Sequence, residues 1–308
     1  MGATGSGTNG SNGRPGSRPA EAPARASTAT TPTAAGAAAQ GKRRTPWPLV
    51  VVAVLFVVVP FLSWYWTSFL RPLDDEKITE YLNDTAKPRH VQHALEQIDK
   101  KIVADDGSAR KWYPQIVGVA SSPVADLRMA AAWVMGDDNR EPEFRNALAR
   151  LLGDAEPAVR RMAALSLSRF GDERARAELR AMLRPYAFKS PLGGTLLTIL
   201  PAGSRVNRES LVARVRDARG EVREVRAPLS GKIERVSAAA NANINAGDEL
   251  LVLAPDAENV LQSLRALAMV GAGEDLSEIE VYARGVEGMP ADVQKQAALT
   301  AEAIKGRR

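Results

Sequence analysis

Along the chain the pattern of apolar and polar positions changes character four times. Residues 1–45 carry almost no large apolar side chain. Trp47 to Leu70, WPLVVVAVLFVVVPFLSWYWTSFL, then run for about 24 residues without a charge. From 74 to 186 apolar residues recur with a helical period, as in Leu127, Ala131 and Val134. Between 189 and 256 they alternate as in short strands, for example in Lys232-Ile233-Glu234-Arg235-Val236. After 257 the helical period returns, with Val260, Leu261, Leu264, Leu267 and Ala268 on one face. This predicts an α+β chain with helices on both sides of a small β domain.

The second regime predicts a transmembrane helix over 46–70. Its length matches a ~30 Å hydrocarbon core. Trp47 stands at one end and Trp64, Tyr65 and Trp66 at the other, where interfacial aromatics belong. Pro60 is a kink that such helices tolerate. A cleaved signal peptide is the alternative, but aromatics rather than a small-x-small site follow the run. Lys42, Arg43 and Arg44 precede it, while Asp74, Asp75 and Glu76 follow. The positive-inside rule therefore places the tail in the cytoplasm and residues 71–308 outside. The tail itself is rich in Gly, Ser, Thr, Ala and Pro, a composition that predicts disorder.

Within 74–188 a segment repeats at a spacing of 32. Leu127 to Gly136 aligns with Val159 to Ser168, so that Ala131-Ala132 matches Ala163-Ala164. Paired small residues let neighbouring helices approach closely. Pro123 and Pro157 stand at helix starts, where a missing N–H costs little. Further helices are predicted near 89–104, 109–119, 141–152, 173–184 and 259–270. Val293 to Thr300 repeats the motif once more, with Ala297-Ala298 in the paired positions. This pattern resembles HEAT repeats, helix pairs stacked into a solenoid.

The strand-like stretch carries its own duplication of about 37 residues. Pro191-Leu192-Gly193-Gly194 matches Pro228-Leu229-Ser230-Gly231, and Val206, Val212 and Val215 match Ile244, Leu250 and Leu253. A turn at Ala227 to Gly231, a strand, then Gly247-Asp248 before Glu249 to Leu253 resembles the biotinyl/lipoyl-attachment fold over 189–256. That fold interlocks two half-motifs and also occurs in the periplasmic adaptor (membrane fusion) proteins of bacterial secretion and efflux systems. The resemblance implies a carrier lysine at a hairpin tip seven residues before Ala227-Pro228. Gly220 occupies that position, between Arg219 and Glu221, so no amine is offered to biotin or lipoate. The adaptors usually insert a coiled-coil hairpin between the halves, for which the link from Val215 to Arg226 is too short.

Charge and composition narrow the function. The net charge is +5, and six bases of the tail against Glu21 account for the whole excess. The remainder is balanced, and with aromatics at 5% the chain does not read as a nucleic-acid binder. The absence of cysteine removes disulfides, thiolate metal sites and cysteine nucleophiles. His90 and His93 share one side of a helix but have no third ligand arranged with them, so no metal site is expected. No G-x-S-x-G elbow presents a serine, and Gly193-Gly194 lacks the lysine of a phosphate loop. Asp105-Asp106 and Asp137-Asp138 read as solvated loop charges. Arg160, Arg161, Arg174, Arg176 and Arg180 read as part of a mixed-charge helix surface.

The resulting expectation is a non-catalytic, membrane-anchored bacterial scaffold without cofactor, in the inner membrane with its bulk in the periplasm. Its parts are a tail (1–45), a membrane helix (46–70), HEAT-like helices (74–188), a lipoyl-like β domain (189–256) and C-terminal helices (257–308). Its partners are proteins and the membrane, the latter through residues 47–70. A true periplasmic adaptor is the alternative, and a carrier or regulatory subunit of an enzyme complex a further one.

Overall fold

A computed structural model describes residues 47–69 and 73–307. The tail expected to be disordered lies outside them. Helix α1 spans Trp47–Phe69, with Pro60 inside it. It belongs to a unit separate from the body that starts at Ser68. Among the described residues no helix is long and apolar enough to cross a membrane. This corrects the transmembrane helix expected over 46–70. The continuous run of side chains described in α1, Val51 to Leu62, is exposed and apolar.

The body begins with α2 (Asp75–Asn83), α3 (Pro88–Val103) and a 3₁₀ turn leading into α4 (Tyr113–Val119). There follow α5 (Ala125–Met135), α6 (Pro142–Leu151), α7 (Pro157–Ser168) and α8 (Arg176–Met182). Proline stands at the first position of α3, α6 and α7. Pro123 does not start a helix; Val124 is the N-cap and α5 begins at Ala125. The helices expected near 109 and 173 open with 3₁₀ turns. The spacing of 32 has a visible basis. Arg128 donates to the Ser122 carbonyl (2.9 Å) and Arg160 to the Asp154 carbonyl (2.7 Å), each tying an inner helix to the turn before it. Ala131, Ala132, Ala163 and Ala164 are all fully buried, which lets α5 and α7 pack side by side.

Eight strands follow α8: β1 (Tyr186–Lys189), β2 (Gly194–Ile199), β3 (Arg205–Val206), β4 (Leu211–Arg216), β5 (Val222–Arg226), β6 (Gly231–Val236), β7 (Asn243–Ile244) and β8 (Glu249–Ala254). They form two antiparallel four-stranded sheets, ordered β1-β8-β6-β3 and β5-β4-β2-β7. The two halves of the duplication exchange strands. Gly194 in β2 pairs with Ile244 in β7, and Gly231 in β6 pairs with Val206 in β3. Leu196, Val215, Ile233, Leu250 and Leu253 fill the space between the sheets.

The chain then returns to α9 (Ala257–Val270), α10 (Leu276–Ala283) and α11 (Ala291–Lys305). These share one apolar core with the earlier helices, running from Ile78 to Leu183 and from Val260 to Ile304. Helix α9 contacts both α7 and α8, so the array continues across the β strands. Three buried hydroxyls stitch the return. Ser263 donates to the Leu179 carbonyl (2.7 Å), Tyr282 to Leu183 (2.7 Å) and Thr300 to Leu264 (2.9 Å). The eight strands are thus an insertion in a single helical layer stack.

Candidate protein-binding groove

Helices α3, α5, α7 and α9 lie side by side, each touching the next. Each turns one stripe of residues out of the core at helical spacing. On α5 the stripe is Asp126, Met129 and Trp133, and on α7 it is Ala158, Met162 and Leu165. Between them lie three depressions that share walls. The largest, about 420 Å³, is bounded by Asp99, Met129, Trp133, Met162 and Arg208. A second of about 250 Å³ shares Trp133 and Met162 and extends to Arg265 and Met269 on α9. A third of about 220 Å³ shares Asp126, Met129 and Arg208. Trp133 is 44% exposed in the middle of this surface, an unusual position for a residue that normally packs inside.

The β insertion forms one wall. Arg208, in the turn between β3 and β4, donates to Asp126 on α5 at 2.6 Å. Arg161 is only 8% exposed and lies 5.8 Å from the centre of the Tyr186 ring, at the start of β1. Burial lowers its pKa, and Glu178, 4.0 Å away, opposes that shift. The insertion is held against α5 and α7 by contacts that are part polar and part aromatic.

Electrostatics differ along the groove. Burial and a hydrogen bond to the Asp137 carboxyl push Asp99 up to about 7; Trp133 and Arg169 oppose this. Asp137 pairs with Arg169, whose guanidinium lies 5.3 Å from the Trp133 ring centre. Asp99 is thus the carboxyl of the pair that is pushed toward its protonated form. The consequence for stability follows from the sign of the shift. A carboxyl with a raised folded pKa contributes stability that is complete below the unfolded value of about 4 and is lost as pH rises through about 7. Asp99→Asn is therefore expected to be more stable than the parent at pH ~8, by about 1 kcal/mol once solvent screening of this partly buried group is allowed for. The two should converge near pH ~4. Denaturant titrations at the two pH values measure this, and a parent that loses no stability toward high pH contradicts it.

The turns between repeats carry a second set of charges. Asp138 and Asp172 are buried, and each accepts the backbone N–H two residues on, in Arg140 (3.2 Å) and Arg174 (3.1 Å). Each also reaches back to the preceding repeat: Tyr113 donates to Asp138 at 2.8 Å, and Arg145 to Asp172 at 2.7 Å. Burial would raise the Asp138 carboxyl, but Arg140 and Tyr113 outweigh it and hold it low. The expectation of solvated loop charges thus fails at Asp137 and Asp138, because these turns are packed between repeats rather than projecting from them.

Other residues singled out in the sequence lie elsewhere. His90 is 2.9 Å from Asp84 and stacks on Tyr81 with ring centres 4.2 Å apart; His93 also faces Tyr81. The basic ridge is paired: Arg160 with Glu178, Arg174 with Asp172, and Arg176 and Arg180 with Asp275. Arg161 departs from the mixed-charge surface reading, being buried under the insertion. Gly220 sits in the β4–β5 hairpin at φ +82°, with its N–H bonded to Asp217. Asp99, Met129, Trp133, Met162 and Arg208 were not anticipated. A signal existed in part: the exposed Trp133 directly follows the paired alanines that mark the buried face. The approach of Asp99 to Asp137, and of Arg208 to Asp126, joins elements far apart in sequence.

No curated protein matches the chain. Among solved structures, a single-chain, multi-domain long-chain acyl-CoA carboxylase is similar at 19% identity, over 42% of this chain and 14% of that one, with a TM-score of 0.22. At that score the likeness carries no argument about this fold. The family model described as HEAT repeats matches residues 114–186, from α4 to the first residue of β1. Helices α4 to α8 are similar to HEAT repeats.

Proposed function

We propose that this protein is a non-catalytic scaffold that binds other proteins along the groove between α3, α5, α7 and α9. The observation that carries this reading is the row of three adjoining depressions, with Trp133 exposed and Met129 and Met162 half-buried on their walls. Large amphipathic or thioether side chains left outside a core favour contact with a partner's apolar residues. HEAT repeats over 114–186 support the same role, since stacked helix pairs offer extended binding surfaces. In this reading the β insertion is a biotinyl/lipoyl-like module that has lost its carrier lysine, with Gly220 in the hairpin where the modified residue belongs. It acts as a rigid wall and spacer rather than as a group carrier.

The test is a photo-crosslinking amino acid placed at Met162 in cells, with the same substitution at Arg150 on α6 as the control. Discrete protein adducts at Met162 and few at Arg150 are the expected result, on a chain whose intact mass equals that of the unmodified polypeptide. Equal adducts at both positions contradict the groove as the binding surface, and a biotin or lipoyl mass increment contradicts the loss of carrier function.

A further inference from the structure

Asp99 stands apart from the other acidic groups of the 420 Å³ cavity. Glu96 pairs with Lys100 on its own helix at 2.7 Å, and Asp126 pairs with Arg208 at 2.6 Å. Asp137, which faces Asp99, pairs with Arg169. Asp99 has no ion-pair partner among the described residues, and its Oδ1 is buried without a hydrogen-bond donor. A buried carboxylate oxygen without a donor is costly. Two things relieve that cost: a proton on the carboxyl, or a cation brought to it from outside.

We propose that the groove accepts an extended protein segment that sets a lysine or arginine against Asp99 and lays apolar side chains on Met129, Trp133 and Met162. This names the class of partner and rests on the reading of the groove as a protein-binding surface. The occupant is a chain rather than a small cation because the cavity adjoins two further depressions that share its wall residues. Four adjacent helices at ~8–10 Å spacing give a run of about 24–30 Å, which about eight extended residues cover. Trp133 supplies a rigid aromatic anchor, and the methionines adapt to the side chains beside it. Charge complements this arrangement. The α3 end offers the unpaired carboxyl, while Arg265 at the α9 end is exposed and has no ion-pair partner among the described residues. A segment with its basic residue at one end is therefore held in one direction.

Binding is linked to a proton. In the empty groove Asp99 keeps its proton only up to about pH 7, beside Asp137, with Trp133 and Arg169 moderating the shift and Glu96 and Lys100 bound to each other one turn away. An arriving ammonium or guanidinium stabilises the carboxylate, and the proton leaves to water. Affinity thus rises with pH through neutrality.

The experiment selects phage-displayed random twelve-residue peptides on the purified full chain at pH ~8, then measures fluorescein-labelled synthetic copies by anisotropy. The expected peptides carry Lys or Arg beside apolar residues. Trp133→Ala, Asp99→Asn, and replacement of the peptide's basic residue by alanine each weaken binding by about tenfold or more. Binding to the parent weakens as pH is lowered to ~5.5, and the residual binding to Asp99→Asn does not change. Asp99→Asn keeps the side chain's shape and removes a repulsion, so its loss of binding is not a loss of folding; circular dichroism checks this. Peptides that require Trp133 but bind Asp99→Asn as well as they bind the parent overturn the cation seat and leave the groove intact. If no recovered peptide depends on Trp133, the seat and the groove reading fall together.

Discussion

Replacing Asp172 by alanine is expected to destabilise the folded body by about 3 kcal/mol. Asp172 is 3% exposed and accepts three kinds of hydrogen bond at once. It caps the 3₁₀ turn through the Arg174 N–H, holds the Arg174 side chain, and takes Arg145 from α6 of the preceding repeat at 2.7 Å. Losing it uncaps the turn and leaves two guanidinium groups without their anion, which joins the cost of a lost cap to that of a lost inter-repeat contact. For a body of this size the midpoint should fall by about 6–12 °C. The pH dependence has a definite sign. The hydrogen bond from Arg174, then that from Arg145, hold the Asp172 carboxyl well below its usual range against the effect of burial. Its contribution is present above the unfolded value of about 4 and is lost as pH falls toward the folded one. The gap between parent and variant should accordingly be full at neutral pH and narrow in acid. Thermal melts at neutral pH and at pH ~3 decide it; a gap of equal size in both would mean that Asp172 acts through shape alone.

The second large effect lies in the β insertion. Gly194 has φ +150°, and a Cβ added there would overlap the carbonyl oxygen of Arg216 on the neighbouring strand. Its counterpart in the duplication, Gly231, meets Ala254 in the same way, with an added Cβ 2.7 Å from that carbonyl oxygen. These are the two places where each half of the module crosses into the other. Gly194→Ala is expected to cost about 3 kcal/mol or more, because backbone of one strand must move off the other. Gly220→Ala, with a positive φ but open space around it, should cost only about 1–2 kcal/mol. Comparing the two variants by denaturant titration separates crowding from backbone strain, and equal costs would argue against the close approach of β2 to β4 at Gly194.

Both effects concern features that the sequence half reveals. The 32-residue spacing and the paired alanines identify α5 and α7, because a helix that must approach its neighbour needs small residues on one face at a 3.6 period. The matched Pro-Leu-x-Gly turns identify the two halves of the β insertion for a similar reason: in each half the glycine lies against the backbone of that half's last strand, β4 or β8. The same local logic failed at Asp137 and Asp138, which read as loop charges. An acidic pair at a helix end looks alike whether its turn faces water or the next repeat. The apolar run before residue 70 likewise reads as a membrane span, although no helix among the described residues is long and apolar enough to cross one.

Local periodicity in the sequence determined which segments form helices and strands, and the absence of a lysine near Gly220 argued on chemistry alone against a carrier. Packing at long range was decided only by the tertiary structure. It returned α9 to α11 onto the core of α2 to α8, brought Asp99 against Asp137, and set Arg208 over Asp126. The physical reason is that periodicity records which face of an element is buried, whereas a groove is made from the faces left over, and their neighbours are chosen by how the elements stack.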